Sequence, residues 1–181
     1  MTEKPDWSES LRSLPGFSGE TLFGEPLSRH TYFKIGGPAK SIAIPRSIDD
    51  LVLLSRTVRD RAIPFSFLGL GSNLLAPDEG LDLLFVKTTK LPATITEEDG
   101  GIRVGAGVPV AAFLRRAAEK GWDGFESISG IPGTFGGLVA MNGGTHLGET
   151  SDLVLEVRTL VFASQYSPPR NRGPGELRFS Y

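Results

Sequence analysis

The sequence predicts an α+β protein in which a helix-covered β-α-β unit of some 30 residues is followed by a mainly antiparallel part. Three observations carry that prediction. Two short apolar runs, 39–44 and 65–68, flank a stretch in which Leu51, Leu54 and Val58 recur at helical spacing. The segments 94–96 and 102–104 flank a Glu-Asp-Gly-Gly turn, as the arms of a hairpin do. Residues 153–162 form a β-branched and apolar run that reads as a strand.

Taken in order, residues 1–20 carry Glu3, Asp6, Glu9 and Glu20 and no apolar run, so they read as a loose arm and not as a secretory signal. Inside the arm, 8–14 makes one or two helical turns ended by Pro15 and Gly16. The run at 39–44, between Pro38 and Pro45, is the first strand. Ser47 is a helix N-cap, with Asp50 at the capping-box position and Asp49 in the positive first turn. Pro64 follows the end of that helix, 65–68 is the next strand, and 83–86 is another, entered through the Asp78-Glu79-Gly80 turn. Pro109 opens a second helix with the stripe Val110, Phe113, Leu114 and Ala117, closed by Lys120 and a left-handed Gly121. Residues 164–175 read as a polar connection, and 177–181 begin a strand-like segment.

Composition narrows the function. Of 181 residues, 39% are hydrophobic and 22% charged, with a net charge of −2, so no global field draws in nucleic acid or an anionic membrane. Zero cysteines exclude disulfides, thiolate zinc, iron–sulfur clusters and thiol nucleophiles. The two histidines, His30 and His146, are not at a metal-ligand spacing, and no metal site is expected. No stretch approaches the roughly 18 apolar residues of a spanning helix, so a soluble, cytoplasmic protein is expected.

The unusual quantity is glycine, 23 residues gathered into loops. The first loop is Gly69-Leu70-Gly71-Ser72-Asn73-Leu74. Its successive N–H groups suit an anion-binding concavity, to which Ser72 and Asn73 add side-chain donors. It has no lysine, so it is not a Walker A loop, and Leu74 stands where a dinucleotide fingerprint has its third glycine. A tight strand-connecting turn explains the same residues. The second cluster runs from Ser129 through Ile131, Pro132, Gly133, Thr134, Gly136 and Gly137 to Asn142, Gly143 and Gly144. Backbone this bare suits a flat ring or a pyrophosphate, with Thr134 and Asn142 as polar contacts. The competing reading is a helix packed closely through Gly136 and Gly137, which glycine disfavours by about 1 kcal/mol per position. Gly105-Ala106-Gly107 reads as a strand-to-helix turn. No carboxylate pair is marked as catalytic by spacing.

Five motifs in one order resemble a known family: residues 30–39 (His30-Thr31-Tyr32-Phe33-Lys34-Ile35-Gly36-Gly37-Pro38-Ala39), the loop 68–75, Val104 to Gly107, Ser129 to Gly137 with Met141 to Gly144, and Phe179-Ser180-Tyr181. Together they are similar to the UDP-N-acetylenolpyruvoylglucosamine reductases, flavoenzymes that make UDP-N-acetylmuramate for peptidoglycan. The resemblance implies the two-subdomain FAD-binding fold of the vanillyl-alcohol-oxidase type. An N-terminal arm at 1–27, a first FAD-binding subdomain at 28–90 and a second at 91–181 follow from it. It also implies FAD held at its pyrophosphate by Gly69, Leu70, Gly71, Ser72, Asn73 and Leu74. Ile131, Pro132, Gly133, Thr134, Gly136 and Gly137 would lie along the flavin, with Asn142 nearby. NADPH is the implied reductant and a UDP-sugar enolpyruvyl ether the implied substrate.

The chain departs from the family pattern. The arginine expected after Phe-x-Tyr falls one position past Tyr181, and the family's serine proton donor and late glutamate belong to a following substrate-binding domain. No catalytic side chain is therefore assigned, and the expectation is a truncated chain that binds FAD with negligible turnover. Leu70 replaces a small or polar residue, and Gly143 to His146 replaces a more usual Asn-Ala-Gly-Ala-Tyr. Two alternatives are a non-catalytic flavin-binding module of the same fold and a sugar-lactone oxidase. Against the second, no histidine stands in the glycine loops for covalent flavin attachment.

Overall fold

The computed structural model describes residues 6–162, 167–177 and 179. A short helix α1 (Glu9–Arg12) precedes strand β1 (Glu20–Pro26), a 3-10 turn at Leu27–Arg29 and strand β2 (Pro38–Ile44). Helix α2 (Ile48–Asp60) leads to β3 (Phe65–Leu68), and β4 (Leu81–Lys87) follows. The hairpin β5 (Ile95–Glu98) and β6 (Gly101–Val104) enters helix α3 (Val110–Lys120). Then come helix α4 (Phe135–Ala140), the small hairpin β7 (Gly144–Thr145) and β8 (Gly148–Glu149), and the pair β9 (Val157–Val161) and β10 (Ser167–Arg172).

The main sheet has the order β1-β2-β4-β3. Strands β2, β3 and β4 are parallel, and β1 runs antiparallel along β2. The β-α-β unit read from the sequence is therefore β2-α2-β3, with β4 inserted between its two strands. The remaining ladders are all antiparallel. Ser47 caps α2 in a full capping box with Asp50, so both expected partners of that motif are in place.

Helix α2 buries Leu51, Leu54 and Val58 on one face of the sheet against Ala43, Leu84 and Val86. The opposite face holds Leu27, Ile42, Leu68, Ala76 and Phe85. A third core gathers Val108, Val110, Phe113, Ala117, Ile128 and Leu138. Phe113 is its hub, edge-on to Phe125 at 4.9 Å and to Phe135 at 4.8 Å between ring centroids.

Several sequence expectations need correction. The described part of the arm is not loose. Leu11 is buried, and Trp7, Leu14 and Phe17 pack on the α2 core. Lys40 Nζ ties Asp6 at 3.3 Å and Asp82 at 3.0 Å, and lies over the Trp7 ring. Strand β1 was hidden because its burial does not alternate between core and solvent. Residues 167–172 pair with β9 although the Pro/Gly content reads as a connection; the register shift between Ser167 and Arg170 takes up the two prolines. Of the strand-like segment at 177–181, Arg178, Ser180 and Tyr181 lie outside the described residues. Among the described residues no helix is long and apolar enough to cross a membrane.

Candidate cofactor site

Ligands in open parallel sheets bind beyond the carboxyl ends of the strands. Here β3 ends at Leu68, beside Lys87 at the end of β4, and runs straight into the loop Gly69 to Asn73. None of the five backbone N–H groups from Gly69 to Asn73 has a hydrogen-bond partner among the described residues. Successive donors without a protein partner suit an anion cradle. Gly71 fixes the loop's path. It has φ +68°, and a Cβ there would run into the His30 carbonyl. The Gly71 carbonyl accepts from Tyr32 N–H at 2.9 Å, which ties the loop to 30–35.

The second glycine cluster lies against the first. Ser72 Oγ donates to the Pro132 carbonyl at 2.9 Å, and a Cβ on Gly69 would sit 2.6 Å from Thr134 Oγ1. The N–H groups of Gly130, Gly133 and Thr134 are also without partners among the described residues. Two loops some 60 residues apart thus share one open face.

Past Thr134 the expectation of bare backbone gives way to a helix. The close-packed helix that glycine propensity disfavoured is present as α4. Its cost is offset by contact: Phe135 N–H donates to the Val108 carbonyl at 2.9 Å and Gly136 N–H to that of Ala106 at 2.8 Å. Gly137 N–H donates to Thr134 Oγ1, the helix cap. A Cβ on Gly136 would stand 3.0 Å from the Ala106 carbonyl oxygen. The first turn of α4 therefore spends its donors on the 105–108 turn and on the Thr134 cap, not on a ligand.

Two residues expected as polar contacts are consumed by the fold. Thr134 is fully buried and caps α4. Asn142 is buried in a left-handed conformation; its Nδ2 donates to Glu149 at 2.6 Å and its Oδ1 accepts from Ser151 N–H at 2.9 Å. It clamps the β7–β8 hairpin. Leu74 and Ile131 pack at the edges of the second and third cores. Leu70, Asn73, Pro132 and Gly137 are exposed. Tyr32, Phe33 and Leu75 add an exposed apolar rim, 66%, 56% and 74% accessible.

Sequence reasoning missed a cluster beneath the loop. His30 Nδ1 lies 2.7 Å from Lys87 Nζ, and His30 Nε2 lies 3.3 Å from Glu25. An ammonium can only donate, so Nδ1 accepts and Nε2–H faces Glu25, which fixes a neutral tautomer. Burial, then the Lys87 charge, holds the His30 pKa below its ordinary value against the pull of Glu25. Burial, then Lys34 and Lys90, pushes Lys87 down as well, with Glu25 opposing. Fifty-seven residues separate His30 from Lys87, and no sequence spacing reports such a pair.

These features agree with comparisons to known proteins. A family model described as an FAD binding domain matches residues 39–163. The UDP-N-acetylenolpyruvoylglucosamine reductase of Synechococcus sp. (strain JA-3-3Ab) is 38% identical over 169 residues, covering 93% of this chain and 53% of that protein. The protein of the same name from Legionella pneumophila (strain Corby) is 41% identical over 165 residues, covering 90% and 52%. The chain spans about half the length of these curated relatives. The crystal structure of UDP-N-acetylenolpyruvylglucosamine reductase from Thermus caldophilus superposes with a TM-score of 0.68 at 30% identity, over 90% of this chain and 55% of that one. Cholesterol oxidase from Brevibacterium sterolicum, at 17% identity and TM-score 0.66 over 89% and 34% of the two chains, shares the fold alone, that of the vanillyl-alcohol-oxidase type. With the glycine loops at the carboxyl edge of the sheet and the family model spanning most of its length, the chain belongs to the FAD binding domain family and is similar to the UDP-N-acetylenolpyruvoylglucosamine reductases.

Proposed function

We propose that this chain is the FAD-holding part of a cytoplasmic reductase that converts a UDP-N-acetylglucosamine enolpyruvyl ether to UDP-N-acetylmuramate with NADPH, for peptidoglycan synthesis. One observation carries the reading: the five unpartnered N–H groups of Gly69 to Asn73, joined through Ser72 to the Pro132 carbonyl. A diphosphate needs several donors on a bare backbone, and this loop offers them next to the strand end that carries Lys87, whose own charge lies in the field of Lys34 and Lys90. Gly133 and the exposed Gly137 leave room for a flat ring along 131–137.

Bound FAD would supply the hydride chemistry, from NADPH to the enolpyruvyl double bond. The backbone and side chains of this chain would bind and orient it. Gly69 to Leu74 take the pyrophosphate, and Ile131 to Gly137 lie along the flavin. Thr134 and Asn142 hold those loops in place instead of touching the cofactor. Residues 28–90 and 91–181 are read as the two subdomains: the third core lies wholly within 91–181, while Leu91, Leu160 and Phe162 of that part pack on the first core. The resemblance assigns no proton donor within these 181 residues, so FAD binding without turnover of the UDP-sugar is expected of them alone.

Titration of the purified protein with FAD, followed by flavin fluorescence and visible absorbance, tests the reading. Saturable quenching with a perturbed flavin band is expected. A protein that stays colourless at high FAD refutes it.

A further inference from the structure

The anion loop contains no cation of its own, and the structure brings one in from a neighbouring strand. Lys87 pairs in register with Leu68, the residue that leads into Gly69. Its ammonium is held at 2.7 Å by His30 Nδ1, an acceptor that orients the charge without cancelling it. The carboxylate of this cluster, Glu25, lies 3.3 Å from the far nitrogen of His30 and is also 3.4 Å from Arg29 Nη1. Lys34 and Lys90 add to the field at Lys87. Lys87 therefore sits among the like charges of Lys34 and Lys90, with Glu25 opposing them and itself shared with Arg29 and His30. His30 also touches the loop directly, since its carbonyl packs against Gly71.

We infer that Lys87 is the phosphate-binding cation of the Gly69 to Asn73 loop, and that His30 is the positioning residue that holds it there in neutral form. The inference rests on the anion-cradle reading of the loop and adds its charge partner, a dianionic diphosphate. A P-loop carries its lysine within the loop; here the same charge comes from the next parallel strand. A diphosphate would meet the ammonium while the backbone N–H groups close on its oxygens. Arrival of that negative charge relieves the repulsion among Lys34, Lys87 and Lys90. Glu25 keeps His30 in the tautomer that accepts from Lys87, so the three residues act as one unit.

The experiment compares the wild-type chain with Lys87→Met, Lys87→Arg and His30→Gln. FAD and inorganic pyrophosphate are the two probes, and far-UV circular dichroism checks the fold. Lys87→Met should weaken FAD binding about tenfold, and Lys87→Arg should recover most of it, because one charge-assisted contact is lost and then replaced. His30→Gln should weaken binding less, and adding salt should narrow its gap to wild type. NMR of the His30 imidazole gives a readout that a merely structural role would not move. Pyrophosphate should shift its signals in the wild type and leave them still in Lys87→Met. The His30 pKa should rise in Lys87→Met, since a neighbouring cation is gone. A folded Lys87→Met that binds FAD as the wild type does overturns the inference. If the wild type takes up no FAD, the functional reading fails, and the pyrophosphate shift alone decides: a shift that needs Lys87 upholds the assignment, and its absence overturns it.

Discussion

Replacing Asp50 by alanine removes the anchor that joins three parts of the chain. The Asp50 carboxylate is buried, 1% exposed. Its Oδ1 accepts from Ser18 N–H at 2.7 Å, and its Oδ2 accepts from Ser18 Oγ at 2.8 Å, Arg46 N–H at 2.8 Å and Ser47 N–H at 3.2 Å. The N-terminal segment, the β2–α2 connection and the cap of α2 thus meet at one side chain. A hydrogen bond to a charged acceptor contributes about 1.5–3 kcal/mol, and bonds sharing one carboxylate do not add in full. Asp50→Ala should therefore cost about 4 kcal/mol, whereas Ser47→Ala, which loses only the cap, should cost about 1 kcal/mol. For a chain of this size the first change lowers Tm by roughly 8–16 °C.

The pH dependence follows with a definite sign. Burial pushes the Asp50 carboxyl up, but the donors from Ser18, Arg46 and Ser47 outweigh it and hold the pKa below the ordinary carboxylate value. A folded pKa below the unfolded one gives stability that is complete above the unfolded value and is lost as pH falls through the folded value. Urea unfolding at pH 7 and at several acid pH values measures both effects. A loss under about 1 kcal/mol at pH 7 would place Asp50→Ala among ordinary surface substitutions and refute the reasoning. An acid limb shared unchanged by wild type and variant would refute it too.

Two further substitutions probe the site and its support. Gly71→Val places a β-branched side chain at φ +68° and against Thr31 Cα at 2.9 Å, so flavin affinity should fall more than about tenfold while circular dichroism changes little; fluorescence titration measures it. Phe113→Ala empties the hub of the third core and should cost about 3–5 kcal/mol in urea unfolding.

Local signals were legible wherever one residue type has one physical use. Ser47 and Asp50 announced the start of α2, Gly121 its left-handed cap after α3, and the 95–104 hairpin its turn. Both glycine loops were found as candidate cofactor loops, and the fold places them on one face. The failures have one cause, which is that tertiary contact overrides local preference. Gly136 in α4 costs helix propensity and permits the approach to Ala106, and no local rule weighs those two together. Thr134 and Asn142 have side chains suited to a ligand, yet the Gly137 N–H claims the first, and the Glu149 carboxylate and Ser151 N–H claim the second. Lys87 and Glu25 carry no signal in the sequence because their partner His30 is brought to them only when β1 and β4 flank β2.

The insertion of β4 between β2 and β3 sets a timetable for the nascent chain. Among the described residues strand β3 has no partner other than β4, so it leaves the ribosome with nowhere to pair. At about 5–20 residues per second, the 19 residues from Leu68 to Lys87 take roughly 1–4 s to emerge. During that interval β2 can pair with β1 and carry α2, while its other edge and the whole of β3 stay open, a state prone to strand-edge association. The glycine loop lies within those 19 residues, so its bare, flexible backbone is the tether that lets β4 slide into the gap. Gly71 can settle against His30 only after that insertion, which makes the cofactor cradle one of the last features of the main sheet to form.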